Sequence, residues 1–191
     1  MGWRLAGKRF LAAAPMAAAF FWLVLAASIA FNPGYNPLER QLSVLGTGDV
    51  ENPWIYNAGI AATGLLTAVY GAAVALDPRW RKEGLLITLG SASLTVAALL
   101  PGYSDPHVIA TRLFFLLVDV AFIEEGVKWM RLGERLGGAV MLLTALIAPA
   151  LWLAVKAAHM WPGALGELYG AAVVDALLLA DWRLRTRGGK G

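Results

Sequence analysis

The chain has 191 residues, of which 59% are hydrophobic and only 15% charged, with a formal net charge of +3. A soluble domain of this size carries nearer a quarter charged residues, so lipid must cover much of this apolar surface. Cysteine is absent, which excludes disulfides, thiol catalysis and cysteine-ligated metals.

Six apolar runs follow one another, each long enough or nearly long enough to cross about 30 Å of hydrocarbon as a helix. They fall near Phe10–Phe31, Trp54–Leu76, Leu85–Leu100, Val108–Val127, Leu136–Val155 and Leu165–Trp182. The first run follows basic residues, as a signal peptide would, and Ser28-Ile29-Ala30 offers small residues for cleavage; its length favours a helix that stays in the mature chain. The third run is the shortest and is expected to extend into its flanks. Pro15 and Pro149 are expected to kink the first and fifth. Small residues such as Gly59, Thr63, Gly64, Gly90, Ser91 and Gly170 let helices approach closely in lipid. Trp3, Trp54, Trp80, Trp129, Trp161 and Trp182 fall near the ends of the runs, as an interfacial belt requires.

The connections alternate in charge. Arg4, Lys8 and Arg9, then Arg79, Arg81 and Lys82, then Lys128, Arg131 and Arg135, then Arg183, Arg185, Arg187 and Lys190 put 13 of 16 basic residues on one side. Arg40 and Lys156 fall on the other, and Arg112 just inside the fourth run. Positive charge is retained in the cytoplasm, so both termini are expected there. The expected architecture is an all-α, multi-pass bundle of six transmembrane helices, one domain over residues 1–191, in the cell membrane.

The outer connections hold the residues able to do chemistry. Residues 32–53 form the longest of them. Within it Asn36-Pro37 initiates a turn, and Leu38, Leu42 and Leu45 recur at helical spacing, with Glu39, Arg40 and Ser43 on the polar side. A short interfacial helix is expected, capping the bundle or covering a binding site. Ser43, Asp105, His107 and His159 fall on the same side and form the candidate catalytic set, with imidazoles and carboxylates for acid–base work. Their spacing matches no metal motif, so no metal or other cofactor is expected.

Inside the membrane, Arg112 and Asp119 lie seven residues apart on one helical face, and Asp175 sits near the middle of the sixth run. Charges at that depth normally face the bundle interior or a cavity. With Glu167 they are candidates for a polar cavity that receives a lipid head group or relays protons; a buried network fixing helix register is the alternative. Thr88, Ser91 and Thr95 form a hydroxyl stripe that could satisfy one carboxylate. Glu124 and Glu125 can each reach Lys128 and read as an interfacial charge pair. The basic stretch from Arg183 to Lys190 reads as a head-group-binding, stop-transfer tail.

No phosphate-cradling glycine loop, HExxH or GxSxG is present, and nucleic-acid binding has no support. The leading reading is a non-enzymatic membrane protein that binds lipid or supports a larger membrane assembly, with membrane lipids and other membrane subunits as partners. An outer-face lipid-modifying hydrolase is the second, and a small transporter using Asp119 and Asp175 the third.

Three segments resemble one known family. Asn32-Pro33-Gly34-Tyr35-Asn36-Pro37, then Gln41-Leu42-Ser43-Val44-Leu45-Gly46, then Asn52-Pro53-Trp54-Ile55-Tyr56-Asn57-Ala58-Gly59 are similar to the DUF998 family of small prokaryotic membrane proteins, common in archaea. The resemblance implies about six helices and no established activity. That family shows a histidine after the third span, where His107 stands; Val44 replaces an acidic residue common there. A more distant similarity to the eukaryotic Frag1/DRAM/Sfk1 membrane proteins, some of which act in lipid and GPI-anchor processing, implies a connection with lipids, though a shared fold does not transfer function.

Overall fold

Helix ends are set by residues that cannot continue a helix or that satisfy its free donors. Pro53 opens one helix at its first turn, where no backbone N–H is needed. Ser104 caps another, its hydroxyl accepting from the His107 amide at 3.3 Å. Gly133, at φ 97°, adopts the left-handed conformation that ends the same helix and allows a three-residue turn into the next. In the computed structural model, residues 9–100, 102, 104–158, 160 and 163–187 are described. Among them the chain forms six long helices and no strand: α1 (Ala13–Ala30), α2 (Pro53–Ala75), α3 (Arg81–Leu99), α4 (Asp105–Arg131), α5 (Arg135–Ala157) and α6 (Leu165–Arg187). The first five are long and apolar enough to cross a membrane. The sixth carries Glu167, Asp175 and Asp181 within its length and is the most polar.

Each helix packs on its sequence neighbours, and α6 returns to α1 to close the ring. The α2–α3 contact is the most extensive, and glycine explains why. A Cβ on Gly84 would lie 2.3 Å from the Ala75 nitrogen and 2.6 Å from the Gly71 carbonyl, so the two backbones touch directly. The hydroxyl stripe of α3 lies in this seam. Thr88 donates to the Gly84 carbonyl at 2.8 Å and Thr95 to the Ser91 carbonyl at 3.2 Å, so the stripe packs against α2 instead of satisfying a carboxylate. Gly126 and Gly138 bring α4 and α5 together in the same way, a Cβ on Gly138 falling 2.6 Å from the Gly126 carbonyl.

Several expectations need correction. The third helix does extend, starting at Arg81. Pro15 lies in the first turn of α1, where proline is tolerated, so it is no interior kink point; Pro149 lies inside α5. Trp80 and Trp129 are buried, at 4% and 8% exposure, and stack with ring centroids 4.7 Å apart, so they belong to the core and not to an interfacial belt. Trp54 is exposed; Trp3 and Trp161 lie outside the described residues.

The segment between α1 and α2 differs most. Its helix is a five-residue 3-10 turn, Leu42–Gly46, with Leu42, Ser43, Val44 and Leu45 all buried and Leu38 exposed. Leu42 and Leu45 do face the bundle, packing with Phe21, Leu25, Tyr35 and Ile60. Leu38 does not, because Asn36 closes a turn through its side chain onto the Leu38 amide at 3.0 Å before a helix can start. The result is a plug folded into the end of the bundle. Asparagines pin it: Asn32 donates to the Ser28 carbonyl at 2.7 Å and accepts from the Asn52 amide at 2.8 Å, Asn52 donates to the Phe31 carbonyl at 2.8 Å, and Asn57 donates to the Gly46 carbonyl at 2.9 Å. Asn32 is 2% exposed. Asn32→Ala is therefore expected to cost about 1–3 kcal/mol, since the Asn52 amide and the Ser28 carbonyl lose a partner; thermal unfolding in detergent measures it, against Gly48→Ala as a neutral control.

Candidate functional site

The plug covers a cavity of about 110 Å³ between α1, α2, α3, α4 and α6. Most of its wall is apolar, from Phe21, Ile60, Leu94, Phe114, Phe115, Val174 and Leu178. Ser43, Asn57, His107 and Glu167 line it near the plug, with Thr63, Thr67, Thr111 and Asp175 further along. From Glu167 to Asp175 is eight residues of α6, or about 12 Å along the axis. The space takes a small ring or a handful of methylene groups and is walled as small-molecule sites are: apolar, with a few placed polar groups.

Local geometry fixes each polar group. The Glu167 carboxylate accepts from the Leu42 amide at 2.5 Å, and the amide and hydroxyl of Ser43 bond to the same group. The N-terminal end of the 3-10 turn thus supplies the donors, and the plug is tied to α6 through Glu167. His107 places Nδ1 2.9 Å from the Ala97 carbonyl. A carbonyl only accepts, so Nδ1 carries a proton in this contact. Asp175 accepts from Nε1 of Trp22 at 2.9 Å, linking α6 to α1 at the closing seam.

The cavity brings together only part of what the sequence singles out. Ser43, His107, Glu167 and Asp175 line it; Asp105 is exposed in the first turn of α4, and His159 lies outside the described residues. Arg112 is exposed on the outside of α4 and does not line the cavity, contrary to the expectation of an inward charge. Asp119 is half-buried and also lies outside the cavity wall. Beyond Leu178 the fully buried Tyr70, Val118, Phe122 and Leu177 fill the space, so the cavity does not continue between Asp175 and the opposite end of the bundle. Among the described residues, no group of three or more His, Cys, Asp or Glu side chains could hold a metal ion.

At the opposite end lies a second polar centre that local sequence reasoning misses. Arg185, on the stretch expected to be a solvated tail, has a side chain only 7% exposed and bridges two fully buried carboxylates: Nε to Asp181 and Nη2 to Glu125, both at 2.5 Å. Tyr70 also donates to Asp181, as does Nε1 of Trp129 at 2.9 Å. The guanidinium lies 4.4 Å from the Trp80 ring. Lys128 reaches the buried Glu83 at 2.5 Å, and Lys82 reaches Glu124 at 2.6 Å. The Glu124 and Glu125 pairing with Lys128 is thereby corrected: in the folded chain each carboxylate takes a partner from another helix, because Glu125 points into the core and Glu124 towards α3. The one available sequence signal was the acid–base i, i+4 pair of Asp181 and Arg185. It does not reveal that both are buried.

The family described as a protein of unknown function, DUF998, matches residues 15–181, nearly the whole of the six-helix ring. Comparison with curated proteins and with solved structures brought no match. The chain is an integral membrane protein, and it belongs to the DUF998 family.

Proposed function

We propose that this protein is a non-enzymatic lipid-binding protein, taking the polar end of one membrane lipid into the cavity beneath the plug. The observation that carries this reading is the cavity itself: an apolar wall with Ser43, Asn57, His107 and Glu167 at one end. Catalysis is the less favoured reading, because the groups a serine hydrolase needs are already engaged. The Ser43 amide and hydroxyl bond to Glu167, leaving neither for a substrate oxyanion, and Asp105 is exposed and does not line the cavity. A two-aspartate transporter lacks support for the same kind of reason, since Asp119 is outside the cavity wall.

In this reading all six helices cross the cell membrane, both termini are cytoplasmic, and the cavity opens towards the outer face. The support for a spanning α6 is that Glu167 binds the plug while Arg185, eighteen residues or about 27 Å further on, binds Glu125 at the other end. Orientation rests on the basic residues gathered at that other end. The exposed apolar side chains of α5, among them Leu143, Ile147 and Leu153, face lipid or a further membrane subunit.

Native mass spectrometry of the protein released from mild detergent tests the reading. One retained lipid per chain is expected in the wild type. Ala171→Leu, which adds three carbons at the cavity wall, is expected to reduce retention at least about tenfold while the protein stays folded, because the cavity gives the added carbons room. Equal retention in both proteins would place the lipid elsewhere and sink the proposal.

A further inference from the structure

We infer that the polar end of the occupant is an ammonium group on an aliphatic chain, and not a phosphate. This rests on the lipid-binding reading and names the chemistry the same cavity selects. Two carboxylates, Glu167 and Asp175, face the cavity, and among the described residues no lysine or arginine lines it. The arginine that a phosphate would need, Arg112, is on the outside of the helix. A phosphate entering here would meet two acids with no lysine or arginine beside them among the described residues, and would lose its hydration with little compensation. An ammonium does the reverse. Glu167 accepts bonds from the plug, yet a carboxylate has roughly four acceptor positions and keeps room for a charged donor. Among the described residues its neighbours in the cavity are hydroxyls, amides and the His107 imidazole, and no lysine or arginine competes with a ligand ammonium for this carboxylate. The apolar wall from Phe21 to Leu94 then takes the first methylenes of the chain, and a volume of about 110 Å³ admits the head and those methylenes but not a bulky sugar.

The same chemistry has two sources: a simple long-chain amine, or the ethanolamine head of a phospholipid reaching in with its phosphate left at the mouth. The test uses the full-length protein in detergent with dodecylamine, dodecanol and dodecyl phosphate as probes, followed by thermal unfolding. Separate nanodiscs contain phosphatidylethanolamine, phosphatidylcholine or phosphatidylglycerol. Dodecylamine is expected to raise the unfolding temperature at concentrations at least about tenfold below those at which dodecanol or dodecyl phosphate acts, since a ligand stabilises only as far as it binds the folded state. Glu167→Gln, which still accepts from Leu42 and Ser43, is expected to abolish that preference. Stabilisation in phosphatidylethanolamine alone identifies the phospholipid source; stabilisation by dodecylamine with no head-group preference identifies the free amine. Equal action of the three dodecyl probes, with Ala171→Leu abolishing all of them, overturns the ammonium assignment and leaves lipid binding standing. No effect of any probe, with no lipid retained by the wild type, overturns both. A Glu167→Gln protein that keeps the full preference for the amine also overturns the assignment, because its charge would not be the selecting group.

Discussion

Replacing Arg185 by alanine is expected to cost about 3–5 kcal/mol, the largest effect of any single substitution outside the backbone contacts. The argument is one of stranded charge. Arg185 is the only cation in direct contact with Glu125 and Asp181 among the described residues, and both acids are fully buried. Their other partners are neutral: Tyr70 and Trp129 serve Asp181, and one oxygen of Glu125 accepts from no donor among the described residues. Removing the guanidinium leaves two neighbouring acids in a low-dielectric core without their cation and also empties the space over Trp80. Thermal unfolding in detergent measures the loss. Arg183→Ala, two residues away on the exposed side, is expected to change stability by no more than about 0.5 kcal/mol. Arg185→Lys should fall between them, since one ammonium cannot match the planar fork that joins two carboxylates. If Arg185→Ala behaved like Arg183→Ala, the buried network would not be the element that holds α6 to α4.

Gly84→Leu is expected to be as damaging through a different mechanism. The first added carbon would lie 2.3 Å from the Ala75 nitrogen and 2.7 Å from its Cα, and these are backbone atoms that cannot rotate aside. Either α2 and α3 separate, giving up the closest contact in the bundle, or the helix bends. Overpacking in a well-filled interior costs about 1–3 kcal/mol, and a clash with backbone belongs at or above the upper end. The expected readout is loss of the monodisperse peak in size-exclusion chromatography, or a large fall in unfolding temperature. Gly34→Leu, where a Cβ meets nothing within 4 Å, is the matched control and should leave both unchanged. A well-folded Gly84→Leu protein would show that the α2–α3 seam has slack that the close backbone approach denies.

How much of this was legible before the structure follows from what each feature depends on. Helix positions depend on runs of adjacent apolar residues and on breaks such as Asn32-Pro33-Gly34, so they could be read directly; even the extension of the third helix to Arg81 was foreseeable. The grouping of Ser43, His107 and Glu167 at one end followed from topology, since alternate connections share a side. The partners of charges could not be read. Glu125 lies next to Glu124 and three residues from Lys128, and local spacing favours that local pair; its real partner is 60 residues away, selected by the direction in which α4 presents its inner face to α6. Arg112 failed for the same reason in reverse. Its place in an apolar run argued for an inward side chain, while the packing of α4 turns it outward. In the plug, the period of Leu38, Leu42 and Leu45 matched a helix, but the Asn36 side chain competed for the Leu38 amide and won. Family membership was visible in those same segments, where Asn32, Asn52 and Asn57 hold the plug by hydrogen bonds to backbone.

The sixth helix leaves the ribosome after the other five, and its acids make it a poor candidate to enter lipid unaided. Asp181 arrives with its own counter-ion four residues on, and both dock against Tyr70, Glu125 and Trp129, which earlier helices have already delivered. The earlier helices thus carry a buried acid, Glu125, whose cation among the described residues comes from α6, so charge as well as packing favours the docking of that helix.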